Sequence, residues 1–85
     1  MKTIEYVIKD ELGIHARPAG MLVKLAGKFS SDISAENNGK EGSCKKIFSL
    51  MGLNVKKGDC IKITANGEDE EKAVQEIETF LKENL

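Results

Sequence analysis

The chain has no tryptophan, a single tyrosine, a single proline, a single histidine and two cysteines. Each scarcity removes a class of protein. With one histidine, no Cys-x-x-Cys pair, and Cys44 and Cys60 sixteen positions apart, no zinc-type ligand set can be assembled; neither a metal nor another cofactor is expected. The few aromatic side chains and a net charge of −1 give little for stacking on, or wrapping, a nucleic acid. No apolar run reaches the length of a membrane span, and the Met1 start carries no signal-peptide pattern. The expectation is a cytoplasmic protein without membrane insertion, its thiols reduced and serving as small, semi-buried apolar residues. Internal repeats, linkers and low-complexity stretches are also missing.

What is present suffices for one domain. A chain of 85 residues buries roughly 60–65% of its unfolded surface, enough for one modest core and no deep, closed active site. The charge is unevenly spread. Residues 1–65 hold eleven Lys and Arg against seven Asp and Glu, a net of +4; residues 66–85 hold two against seven, a net of −5. This fits either a basic face for an acidic partner or an acidic helix solvated on its outer side.

Periodicity places the elements. Ile4, Tyr6 and Ile8 share one face of a half-buried strand over 3–8. Gly13 breaks it. Ala19, Leu22, Val23 and Ala26 form the core stripe of a helix over 16–28, with Lys24 and Lys28 off the stripe. A strand over 32–37 turns at Asn38-Gly39, the strongest short hairpin signal, into an edge strand over 40–44. The apolar run 47–53 predicts a short helix stopped by a left-handed Asn54. Gly58 turns the chain into a strand over 60–65, Asn66-Gly67 turns it again, and Asp69 caps a helix to the chain end. That last helix carries the stripe Ala73, Val74, Ile77, Phe80 and Leu81. The order β-α-β-β-α-β-α, with one apolar sheet face, predicts an α+β two-layer sandwich.

The chemistry concentrates in Gly13-Ile14-His15-Ala16-Arg17-Pro18-Ala19, where strand passes to helix. Pro18 belongs in a first helical turn, so His15 lies at or just before a helix N-terminus, where free amides and the dipole favour anions. A neutral imidazole there can bind a ligand, or its ring nitrogen can take an electrophile such as phosphorus and pass it on. Arg17 and the helix-end amides would hold the resulting dianion. If the helix starts at Ala16, His15 is the cap; if it starts at Pro18, His15 lies two positions outside.

In this segment the sequence resembles the HPr family, the histidine-containing phosphocarriers of the bacterial phosphoenolpyruvate:sugar phosphotransferase system. The pattern Gly-[Ile/Leu]-His-x-Arg-Pro-[Ala/Ser] is met at 13–19. Similarity extends through Asn38-Gly39-Lys40, Lys45 to Leu53, Lys57-Gly58 and Gly67 to Glu70. The resemblance implies an open-faced β-sandwich, a four-stranded antiparallel sheet covered on one face by three helices, acting as a monomer. It implies that His15 takes phosphate on Nδ1 from phosphorylated Enzyme I and gives it to an enzyme IIA domain. Ala16, Arg17 and Pro18 would surround the phosphate. Gly20, Lys24, Ile47, Phe48, Met51 and Gly52 would form the docking patch, ringed by Lys24, Lys28, Lys45 and Lys46. From periodicity alone, Phe48 and Met51 could equally be core.

Lys46 departs from the pattern. Many members have a serine there, phosphorylated in some as a regulatory switch, and lysine has no hydroxyl. It also cannot cap the short helix as serine would, which predicts a frayed or shifted helix start. Asn54, where relatives commonly have Gly, tolerates the left-handed conformation. The function expected is a general phosphocarrier for sugar uptake. The alternatives are a specialised paralogue of the same class, and a regulatory module that acts by binding target proteins.

Overall fold

Alternating apolar residues become strands that share one buried face. The computed structural model describes residues 1–85. Its strands are β1 (Lys2–Val7), β2 (Asp32–Asn37), β3 (Lys40–Ser43) and β4 (Cys60–Asn66). They form one antiparallel sheet in the order β1-β4-β2-β3. The helices are α1 (Ala16–Ala26), α2 (Ile47–Met51) and α3 (Glu70–Asn84). The expected α+β order and element types hold, with ends moved by one or two residues.

Register sorts the two sheet faces. Ile4 pairs with Ile63, which pairs with Ala35; Ile33 pairs with Ala65. These inner rows meet Ala19, Leu22 and Ala26 of α1, Leu50 of α2, and Ala73, Val74, Ile77, Phe80 and Leu81 of α3 in one buried cluster. Each fully buried Leu or Ile contributes about 1.5–3 kcal/mol. On the outer face Glu5 lies opposite Lys62, which lies opposite Glu36. Opposite charges in neighbouring strands suit a surface left to water.

The turns follow their residues. Asn38 (φ 53°) and Gly39 (φ 83°) are both left-handed and close the β2–β3 hairpin; Asn54 (φ 52°) ends the segment after α2 as expected. The turn at Asn66-Gly67 has a different cause. Gly67 is not left-handed; it lies so close to Ser31 that a Cβ would sit 2.6 Å from the Ser31 Cα and Oγ.

Three expectations are corrected. Asp69 occupies the N-cap position of α3 but makes no capping bond. Its carboxylate instead accepts from the Ser30 amide (2.9 Å), the Ser31 amide (3.0 Å) and the Ser31 hydroxyl, tying the start of α3 to the loop before β2. The cysteines are not alike: Cys44 is fully buried, its thiol pushed up to about 12 by desolvation, while Cys60 is exposed. The start of α2 is not shifted. Lys46 is its N-cap, and the Lys46 carbonyl accepts the first helical bond from Leu50 (3.0 Å), but no side chain caps the open amides.

Three outcomes follow. The Ser31 and Ser30 hydrogen bonds hold the Asp69 carboxyl at about 2, below its ordinary 3.8. A depressed carboxylate stabilises the fold above its unfolded value, and that stabilisation is lost as pH falls from about 4 to 2. Asp69→Asn should therefore flatten acid unfolding in that window, followed by circular dichroism. In hydrogen exchange, the amides of Ile47 to Met51 should be less protected than those of Val74 to Leu81. Lys46→Ser should raise stability by about 0.5–2 kcal/mol in urea unfolding.

Candidate functional site

The site is built on a loop that returns from β1 and seats itself on the segment after α2. Asp10 begins it: its carbonyl accepts from the Gly13 amide (3.0 Å), and its Oδ1 accepts from the Leu12 amide (2.8 Å). Gly13 is left-handed (φ 65°), and a Cβ there would lie 2.1 Å from the Val55 carbonyl oxygen, so no other residue fits this approach. The Ile14 amide then donates to Val55 O (3.2 Å), and the Ile14 side chain enters the core. The next residue, His15, is turned outward.

His15 is the N-cap of α1, with extended backbone (φ −105°, ψ −178°). Its carbonyl accepts the first helical bond, from Ala19 (2.9 Å). This decides between the two helix starts that Pro18 leaves open in the sequence: α1 starts at Ala16. The Ala16 and Arg17 amides have no acceptor in the protein, and Pro18 has no amide hydrogen. The imidazole makes no capping bond and its side chain is 37% exposed. It shares a shallow cleft of about 180 Å³ with Arg17, Pro18, Met21 and Asn84. An anion beside the ring would meet the two open amides and the positive end of the helix dipole, with the charged residue Arg17 lining the same cleft. The ring is accessible to an electrophile carried by another protein.

The structure divides the run 47–53 between two roles. Leu50 and Leu53 are core. Phe48 is 87% exposed, Met51 is 36% exposed, and Ile47 is half-buried beside α1. Gly20 faces Ile47: a Cβ at Gly20 would lie 3.9 Å from Ile47 Cδ1, an ordinary contact, so sterics alone do not demand glycine there. Gly52 is the C-cap of α2. Lys24, Lys28 and Lys46 are exposed and pair with no carboxylate. Lys45 differs from its expected place in the cationic ring. Its Nζ donates to the Phe29 carbonyl (2.7 Å), which ties the start of the α2 segment to the end of α1.

Three residues of the site were not singled out in the sequence. Met21, exposed on α1, lines the His15 cleft; its helical position, between the core stripe and the lysines, was the available signal. Asn84 arrives from the far end of the chain, because the Leu85 carbonyl accepts from the Lys9 and Asp10 amides (2.6 and 2.8 Å); no local pattern announces that return. Asp10 carries its Oδ1 to 3.9 Å from His15 Nε2.

Comparison with known proteins agrees with this architecture. The family model for the PTS HPr component phosphorylation site matches residues 2–83. The phosphocarrier protein HPr of Mycoplasma pneumoniae is 44% identical, over 99% of this chain and 97% of its own. Among solved structures, an HPr from Thermoanaerobacter tengcongensis superimposes with a TM-score of 0.92 at 39% identity, covering 96% of this chain and 92% of its own. The histidine-containing phosphocarrier protein of a mycoplasma gives a TM-score of 0.91 at 40% identity, covering 93% and 90%. With its sequence pattern, sheet order and helix placement all in agreement, this chain belongs to the HPr family of phosphotransferase-system phosphocarriers.

Proposed function

We propose that His15 receives a phosphoryl group from phosphorylated Enzyme I and passes it to an enzyme IIA domain during sugar uptake in the cytoplasm. The observation that carries this reading is the outward-facing His15 ring at the N-terminus of α1, next to the open Ala16 and Arg17 amides and sharing one cleft with Arg17. Arg17 balances the charge of the phosphohistidine. Pro18 pre-sets the helix turn beneath it. The cleft is open and shallow, which suits a partner's active site laid over it better than a small substrate enclosed within it.

The exposed side chains of Phe48 and Met51, with Ile47, Gly52, Gly20 and Met21 around them, form the surface on which both partners dock, and Lys24, Lys28 and Lys46 steer acidic partners to it. The carrier works as a monomer and needs no cofactor. No helix is long and apolar enough to cross a membrane. Lys46, at the position matched to the family's regulatory serine, leaves no hydroxyl for that switch, so control of this carrier rests on the phosphorylation state of His15.

Two measurements test this reading. Incubated with Enzyme I and phosphoenolpyruvate, the protein should gain the mass of one phosphate, acid-labile and alkali-stable, lost again on adding a IIA domain and never gained by His15→Ala. Phosphorylation without onward transfer would favour a regulatory binding module instead. Phe48→Ala should raise Enzyme I's KM for the carrier by about tenfold, the scale of one truncated aromatic anchor, with kcat little changed and the fold intact.

A further inference from the structure

His15 has one carboxylate neighbour, and it is held in place. The Asp10 backbone is fixed at both ends, its amide donating to the Leu85 carbonyl (2.8 Å) and its carbonyl accepting from Gly13 (3.0 Å). Its side chain is fixed by the Leu12 amide on Oδ1 (2.8 Å). That same Oδ1 lies 3.9 Å from His15 Nε2, and no lysine, arginine or N-terminal nitrogen comes within 4 Å of this carboxylate. The separation exceeds a hydrogen bond, but such contacts in an unliganded site tighten when the reacting complex forms. Arg17, the other charged side chain of the cleft, pairs with no carboxylate; α3 contributes the neutral Asn84.

The geometry points to Asp10 as a positioning residue for the phosphoryl exchange: it keeps the imidazole proton on Nε2, so that Nδ1 is the free nucleophile, and it stabilises the positive ring formed when Nδ1 is phosphorylated. This rests on the reading of His15 as the phosphoryl acceptor. In the forward step the Nδ1 lone pair forms the N–P bond. The bond from phosphorus to the donor's leaving atom breaks, and its electron pair departs with that atom. The Nε2 proton stays in place, so the ring gains a positive charge facing the Asp10 carboxylate. In the onward step the N–P electrons return to Nδ1, and neutral imidazole is restored with its proton still on Nε2. No proton needs to leave the site in either direction, and a fixed anion acting through the second ring nitrogen makes this economical.

Asp10→Asn separates charge from structure, because the amide oxygen can still accept from Leu12. Its rate of phosphorylation by Enzyme I at saturating carrier should fall about threefold to tenfold, the scale of one partly screened charge at this distance. KM should hold, since the Phe48 patch is untouched. Ring ¹⁵N shifts of the unphosphorylated protein at mildly alkaline pH should place the proton on Nε2 in the native chain and show a larger Nδ1-protonated fraction in the variant. Asp10→Ser, whose hydroxyl also serves the turn, should reproduce both changes. Glu11→Gln, which removes the adjacent exposed carboxylate, should reproduce neither. An Asp10→Asn rate within about twofold of native, or a ring tautomer that is unaffected, would overturn the role of Asp10 while leaving His15 as acceptor. A native chain that gains no phosphate overturns the reading of His15, and the tautomer measurement still decides independently whether Asp10 orders the ring.

Discussion

The hydrogen bond from the Ile14 amide to the Val55 carbonyl holds the site in register with the core. Around it the chain has little freedom. Gly13 must be left-handed and must lack a side chain, because it rests on the same carbonyl, and Ile14 is drawn into the apolar interior. The alternation this imposes pushes the next side chain outward. His15 is thus presented to solvent by the burial of its neighbour. The segment that supplies Val55 is itself fixed: the buried Asn37 amide donates to the Leu53 carbonyl (3.0 Å), and the Asp59 carboxylate accepts from the Lys56 amide (2.9 Å). A strand end, a helix end and a turn therefore cooperate to aim one imidazole.

Much of this was legible in the sequence, because it depends on local rules. The apolar stripes of α1 and α3, the Asn38-Gly39 hairpin and the left-handed Asn54 are each set by residues within a few positions of one another, and each appears in the structure. The resemblance to the HPr family named the His15 segment and the patch around Phe48. What sequence missed depends on contacts between distant segments. Asp69 looked like a cap, yet its carboxylate crosses to Ser30 and Ser31, since two open amides and a hydroxyl outbid the local amides. Lys45 looked like part of a cationic rim, yet the Phe29 carbonyl claims it. Asn84 joins the site only because the end of the chain folds back against residues 9 and 10, and Asp10 is held there by that same end as well as by its own loop.

The helix α2 shows how a short element can serve two masters. In five residues it sends Leu50 into the core and leaves Phe48 almost fully in water. An isolated helix of that length has no stability in water. Its conformation is held from outside: Gly42 of β3 lies under it, close enough that a Cβ there would sit 2.7 Å from the Ser49 carbonyl oxygen, and Lys45 tethers its approach. The exposed apolar side chains are thereby displayed on a support whose order comes from its neighbours.

Pro18 stands third in α1, where an ordinary residue would offer a hydrogen to an anion at the mouth of the helix. Its ring offers none. A tetrahedral oxyanion seated on this ledge would therefore find two main-chain donors, with the remaining oxygens left to an exposed guanidinium and to bulk water. Such a guest is steadied without being trapped, and that incomplete grip suits a courier, whose usefulness depends on letting go.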